Sequence, residues 1–347
     1  MHSAAEFDVN GGSERETAHC HLSFRAPFAS GTTHPSSQSM NQDSRPTPVL
    51  VGTASWTDKS LIQCGRFYPS TATTAETRLR YYASQFPLVE VDSSYYAMPA
   101  PGTAQLWAER TPSHFTMNVK AFRIFTGHQT SPTVLHRDIR AALGPNVRAT
   151  IYYKDLPAEI RDELWRRFIE ALAPLRNAGK LGLAHFQFPP WLVCNPAGHA
   201  HVQHCVERMA GHVVSIEFRH QSWFGGERTA STLAFERELG VVHTVVDGPQ
   251  GFTNSVPAIW ETTHPRFALL RLHGRNTSSW NIKGASAASD RFNYHYSDPE
   301  LDEVAAQLAQ LAIKAFTTHV VFNNNMEDQG QRNAASLQRL LANLALA

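Results

Sequence analysis

Cysteine is scarce in this 347-residue chain: Cys20, Cys64, Cys194 and Cys205 are the four present, and no CxxC pair occurs among them. That pattern argues against a disulfide scaffold and against a four-thiolate zinc site, and a reducing, cytoplasmic setting is expected. Excess charge of one sign is missing too, because 31 basic and 30 acidic side chains leave a net charge of +1. A chain so near neutrality is not built to coat nucleic acid, so any anion site has to be local. No apolar run approaches the roughly 18 residues of a membrane span, so no membrane partner is expected. The first 48 residues hold few aliphatics and no continuous apolar segment of the kind a secretory signal needs. They offer too little apolar surface to offset the entropy of ordering, and a disordered tail is expected over 1–48 with one folded domain over 49–347.

What the chain does contain is an alternation of short apolar runs with helical patterns, separated by turn residues. Strands are expected at Val49–Thr53, Leu88–Asp92, Phe115–Lys120, Leu181–Phe188, Val213–Phe218, Val241–Asp247, Phe267–His273 and His319–Asn323. Helices are expected near 74–85, 102–110, 158–178, 200–210, 229–239, 300–315 and 330–344. Strands alternating with helices give an α/β fold with a parallel sheet, and eight strands in about 300 residues fit a single (β/α)8 TIM-like barrel. The surplus residues, 121–157, 248–266 and 274–299, all follow strands, which places inserted loops on the C-terminal face where barrels bind ligands. A doubly wound open sheet is the alternative, but no Gly-rich dinucleotide fingerprint follows any strand.

Nearly every expected strand begins apolar and ends polar. Glu90 with Asp92, Asn118 with Lys120, Glu217 with Arg219, and Arg271 with His273 each share one strand face, with apolar neighbours on the other. Gln187, Asp247 and Asn323 close three further strands. Converging at the barrel mouth, these groups form either a ligand site or a self-neutralising ion-pair network; buried charges demand pairing in both cases.

The ordered residues of the chain resemble a known family. The resemblance rests on Gly52 with Ser55-Trp56, Phe67-Tyr68-Pro69, the run Val89-Glu90-Val91-Asp92-Ser93-Ser94-Tyr95-Tyr96 with Pro99, and Trp107, Thr111-Pro112 and Phe115. It continues through Lys120, Gln187-Phe188-Pro189-Pro190, Glu217-Phe218-Arg219-His220, Ser222-Trp223, Arg271-Leu272-His273-Gly274-Arg275 and Asn323-Asn324-Asn325. Together these are similar to the YecE-like family, domain of unknown function 72, over residues 49–345. The resemblance implies one TIM-like barrel of prokaryotic, cytoplasmic type, and it supplies no reaction and no catalytic residue. Asp92 and Ser94 stand where that pattern has Asn and Thr, and Gly127 separates Thr126 from His128.

The chemistry of the residues is therefore argued directly. Lys120 suits Schiff-base or proton-transfer work if desolvated, or a salt bridge to Glu90 or Glu217 if not. Glu90, Glu217 and Asp247 supply acid and base candidates of the type glycoside hydrolysis uses. Arg219, Arg271, Arg275 and His273 suit a phosphate or carboxylate, and an anion is expected within reach of Arg271. Trp56, Trp223, Trp280, Tyr95 and Tyr96 are candidates for stacking a sugar or base or for local core, with Asp92, Gln187, Asn323 and Asn325 as polar ligand contacts. No cofactor is expected, and a divalent ion held by Glu90, Asp92, Glu217, Asp247 and His273 is the less favoured alternative, since neighbouring cations already offset the acids. The function expected is an enzyme acting on a small anionic molecule; the other reading is a non-catalytic ligand-binding or nucleic-acid-associated module that uses the same pocket.

Overall fold

The computed structural model describes residues 47–281 and 288–344. The expected tail lies outside the described residues except for Thr47 and Pro48.

Eight parallel strands run in sequence order: β1 (Val49–Ala54), β2 (Leu88–Val91), β3 (Thr116–Lys120), β4 (Leu181–Gln187), β5 (Val214–Glu217), β6 (Val242–Asp247), β7 (Phe267–Leu272) and β8 (Thr317–Phe322). β8 pairs back onto β1 along five residues, and the sheet closes into a barrel. Closure excludes the open doubly wound sheet. Longer helices at Ala75–Gln85, Ala158–Asn177, Pro196–Arg208, Arg228–Glu238, Asp298–Ala312 and Gln329–Asn343 coincide with the expected ones to within a few residues. The short helices Lys59–Cys64, Ser93–Tyr96 and Arg137–Ala142 were not anticipated, because one or two turns are too few to show a helical stripe.

The barrel separates two apolar layers. Ala54, Leu88, Leu183, Val242, Leu269 and Val321 pack together as one small cluster, and the larger core lies between the strands' outer faces and the helices. Alternation along each strand then decides what stands above that inner floor. Two residues beyond Leu88, Leu183 and Leu269 come Glu90, His185 and Arg271, so the inward face turns from apolar to polar within one step.

The longest insertion, 121–157, is pinned to the wall. Thr130 and Ile151 form an antiparallel bridge across it. Trp165, on the helix Ala158–Asn177, stacks on Phe125 at 3.8 Å and donates its indole N–H to the Tyr153 hydroxyl at 2.8 Å. An aromatic stack with its one polar atom satisfied fixes both ends of the segment.

Gly52 shows how tightly the wall is drawn. A Cβ there would stand 1.9 Å from the Leu88 carbonyl oxygen, which is backbone of a neighbouring strand and cannot swing aside. Gly52→Ala is expected to cost about 1–3 kcal/mol or more, as overpacking of a rigid site does. Urea unfolding checks this; a midpoint unchanged from wild type would show that β1 and β2 separate freely.

Candidate functional site

Arg271 projects from β7 into the barrel with no exposed surface. One of its terminal nitrogens donates to Glu217 at 2.5 Å, and the other donates to Glu90 at 2.6 Å. The first also approaches Gln187 Oε1 at 3.3 Å. Glu217 accepts a second guanidinium, that of Arg219, at 2.7 Å, and His273 Nε2 lies 3.3 Å from the same carboxylate. Asn323 Nδ2 donates to His273 Nδ1 at 2.8 Å, which leaves the imidazole proton on Nε2, facing Glu217. Lys120 pairs with Asp92 at 2.7 Å and sits 4.7 Å from the centre of the Tyr95 ring. The expected partner of Lys120 was Glu90 or Glu217. Asp92 takes that role because Arg271 already occupies both glutamates.

Burial, the largest single influence, opposes ionisation of Glu217, yet Arg271 together with the imidazoles of His185 and His273 beside it holds the carboxyl well below the usual range. The same contest lowers Asp92, with Lys120 as the prevailing partner. Burial and the nearby guanidinium of Arg219 press His273 down to about 3 despite Glu217, so this imidazole is neutral at pH 7. Three cations, Lys120, Arg219 and Arg271, thus face three carboxylates, Asp92, Glu90 and Glu217. Glu217, held ionised and wholly buried, is a charge partner for the arginines.

Above this layer lies a cavity of about 240 Å³ lined by Tyr95, His128, Gln187, Pro190, Trp191, Arg219, Asn254, Trp280 and Arg291. Among the described residues its lining holds two guanidinium groups and no carboxylate. Arg219 lies over Trp280, 4.8 Å from the ring centre, and donates to Glu217; its 3.2 Å approach to His273 Nε2 is a close contact, since that nitrogen carries the proton, and no other protein hydrogen-bond partner of Arg219 stands among the described residues. His128 was not foreseen as a site residue. The Thr126 hydroxyl gives its hydrogen to the Arg123 carbonyl at 3.0 Å, so it accepts from His128 Nδ1 at 2.8 Å. The imidazole is therefore protonated on Nδ1 and keeps an acceptor lone pair on Nε2. Burial, followed by Lys120, Arg123 and Arg219, takes His128 to about 3. A lone histidine between two insertions gives no sequence signal; only the fold brings it beside Arg219.

Several expected site residues stand elsewhere. Asp247 does not join Glu90 and Glu217. Val242 belongs to the inner cluster, so alternation turns Val246 inward and Asp247 outward, where Arg275 grips it at 2.8 Å and Tyr296 donates to it at 2.6 Å. Asp247 and Arg275 line a separate cavity of about 380 Å³. Trp56 packs edge-on against Trp107 in the outer core. Trp223 is stacked on Phe218 at 3.8 Å with its N–H given to the Leu192 carbonyl, so neither ring reaches the mouth. Of the expected stacking rings, Tyr95 and Trp280 line the cavity, whereas Tyr96 is 47% exposed and lies edge-on to Tyr95 outside its lining. Asn325 accepts from Ser60 through its backbone oxygen and stands outside the charged cluster. Arg271 itself is sealed beneath Gln187 and the two glutamates, so an anion in the cavity meets Arg219 and Arg291 instead. Among the described residues no group of three or more metal-ligating side chains is assembled for an ion.

These features define a closed (β/α)8 barrel with an ion-paired layer beneath a small cavity at the C-terminal ends of its strands. The model of the family described as "Protein of unknown function DUF72" matches residues 50–346, and the chain belongs to that family. The UPF0759 protein YunF of Bacillus subtilis (strain 168) is 30% identical over 295 residues, covering 84% of this chain and 94% of that protein. Among solved structures, a DUF72 family protein of Enterococcus faecalis is 25% identical with a TM-score of 0.70, over 85% of this chain and 95% of that one. A DUF72 family protein of Thermotoga maritima is 25% identical with a TM-score of 0.64, over 85% and 99%. In all of these the match spans the barrel.

Two outcomes follow from the buried layer. Arg271→Met leaves Glu90 without a cation and Glu217 with Arg219 alone, and is expected to lose about 3–5 kcal/mol, part of which returns when Glu90→Gln and Glu217→Gln are added. Denaturant titration of the two variants checks this, and equal stability would deny the cluster its role. The buried imidazoles set a pH window. His128 and His273 are lowered to about 3, and His319 to about 4 by burial alone, against an unfolded value of about 6.5. The unfolded chain takes up these protons first, so stability is full above that value and declines as pH falls from about 6.5 toward 4. Unfolding free energies measured from pH 8 to 4 test it; a profile flat to pH 4.5 would mean the imidazoles are charged in the folded protein.

Proposed function

We propose that the barrel mouth binds a small anionic molecule, a phosphate or a carboxylate, and transforms it by acid-base chemistry. The observation that carries this reading is the sorting of charge: carboxylates lie in the sealed layer, whereas the cavity presents Arg219 and Arg291 with no acid among the described residues of its lining. The buried guanidinium of Arg219 favours a bidentate oxyanion, with the exposed Arg291 at the rim, and a charged hydrogen bond to the buried group contributes about 1.5–3 kcal/mol. Gln187 and Asn254 add neutral donors and acceptors, and Tyr95, Trp191 and Trp280 form the walls.

His128 supplies the proton-accepting group in this reading. Burial is the main cause of the depressed imidazole, and an anion placed between Arg219 and His128 offsets the positive field that adds to it, so its proton affinity rises on binding. Lys120, tied to Asp92, contributes positive charge in place of Schiff-base chemistry. A purely binding module would use the same pocket, and turnover separates the two.

Calorimetric titration with sugar phosphates and dicarboxylates is expected to show binding that Arg219→Ala weakens about tenfold or more, while Lys314→Ala, remote and paired with Glu261, leaves it unchanged. Sulfate, whose own charge is constant from pH 8 to 5, is expected to bind more tightly as pH falls, with proton uptake that His128→Asn abolishes. A metabolite screen in which wild type turns over a substrate and His128→Asn does not supports an enzyme. Equal affinity in wild type and Arg219→Ala would remove the anion from this cavity.

A further inference from the structure

A second cavity adjoins the first, and nothing in the charged cluster accounts for it. It measures about 570 Å³ and is lined by Tyr152, Tyr153, Pro189, Trp191 and Leu192, with the polar residues Thr126, Gln129, Lys154 and His201 and the backbone of Gly127 completing its wall. Trp191 lines both cavities, and the neighbours along the chain alternate between them. Gly127 faces the large one and His128 the small one; Pro189 faces the large one and Pro190 the small one. The partition is thus one side chain thick: Trp191, 57% exposed, standing edge-on to His128 at 5.4 Å.

The two chambers differ in what they accept. The small one, at about 240 Å³, takes an anionic head with a short linkage, whereas 570 Å³ lies in the range of pockets that enclose a whole organic ligand. The large chamber carries one full charge, on Lys154, and its broad surfaces are rings. It is also held open. The Tyr153 hydroxyl is engaged by Trp165 and by His204 at 2.7 Å, so that ring cannot fold inward to fill the space. The wall belongs to the insertion 121–157 and to the loop after β4, both additions beyond what a bare barrel requires.

Building on the anion reading above, we propose that the ligand is bipartite. Its anionic head lies in the small cavity on Arg219, and an uncharged aromatic body extends past Trp191 into the large cavity against Tyr152, Tyr153 and Leu192. The substrate class is an aromatic phosphate or carboxylate, and Trp191 is the residue that sets the length of the linkage.

The test compares inorganic phosphate, 2-naphthyl phosphate and 2-naphthol by calorimetry on the full chain. Naphthyl phosphate is expected to bind about tenfold to a hundredfold more tightly than phosphate, as burial of one large apolar group gives. Leu192→Trp, which fills the large cavity, is expected to erase that gain and leave phosphate affinity unchanged, whereas Arg219→Ala weakens both phosphates. Gln129→Trp, at the exposed rim of the same cavity, is the second variant should Leu192→Trp fail to fold. If phosphate binds and the naphthyl group adds nothing, or if the gain survives the filling variants, the bipartite ligand is overturned while the anion site stands. If neither phosphate binds, the anion site falls and this inference falls with it, even where naphthol alone is retained.

Discussion

A single guanidinium, that of Arg271, spans the barrel axis between Glu90 and Glu217, and the rest of the mouth is arranged around that contact. Both carboxylates have no exposed surface, and burying such a group without a cation costs several kcal/mol, which Arg271 offsets at the two sites at once. Once Arg271 occupies both, Glu217 still offers an oxygen to Arg219, which is drawn from the next layer down toward the cavity floor. Lys120, left without those partners, turns to Asp92. The order of pairing therefore follows from which cation is deepest. The consequence is a layered field, with negative charge neutralised below and donors presented above.

That layering reassigns roles. Acid and base chemistry was expected of the glutamates, but a carboxylate under two arginines is fixed in its ionised form and has no path to a ligand. The groups that can change their proton content against a ligand are those at the cavity, and His128 is the one whose hydrogen bonds define which nitrogen is free. A site in which the charge-bearing scaffold and the titrating group are different residues can bind an anion without dismantling its own support.

The barrel was legible because each of its strands announces itself by an apolar run, and because the polar ends at β2, β3, β5 and β7 repeat with period two. Leu88, Glu90 and Asp92 point the same way by simple alternation, and no tertiary knowledge is needed to group them. β6 is different. Its run Val242–Asp247 is buried on both sides, so composition does not tell which face is inward, and Asp247 was placed on the wrong one. Trp56 and Trp223 were misplaced for a related reason: an aromatic in a loop after a strand packs equally well on the outer core or over the mouth, and only the rings of Trp107 and Phe218 decide it. His128 and Trp191 lie in loops whose path depends on the Trp165 stack, a contact forty residues distant in the chain that no local pattern reports.

The claim on which the account turns is that Glu217 is a permanently charged strut and not a proton carrier. Carbon-13 NMR of glutamate-labelled protein, with the Glu217 resonance assigned by its loss in Glu217→Gln, measures this directly. The account predicts that the carboxyl signal stays at its ionised position from pH 8 down through the ordinary glutamate range, with no inflection until the protein begins to unfold. A titration step at or above about pH 4.3, the usual glutamate value, would contradict it and return the proton chemistry to the buried layer.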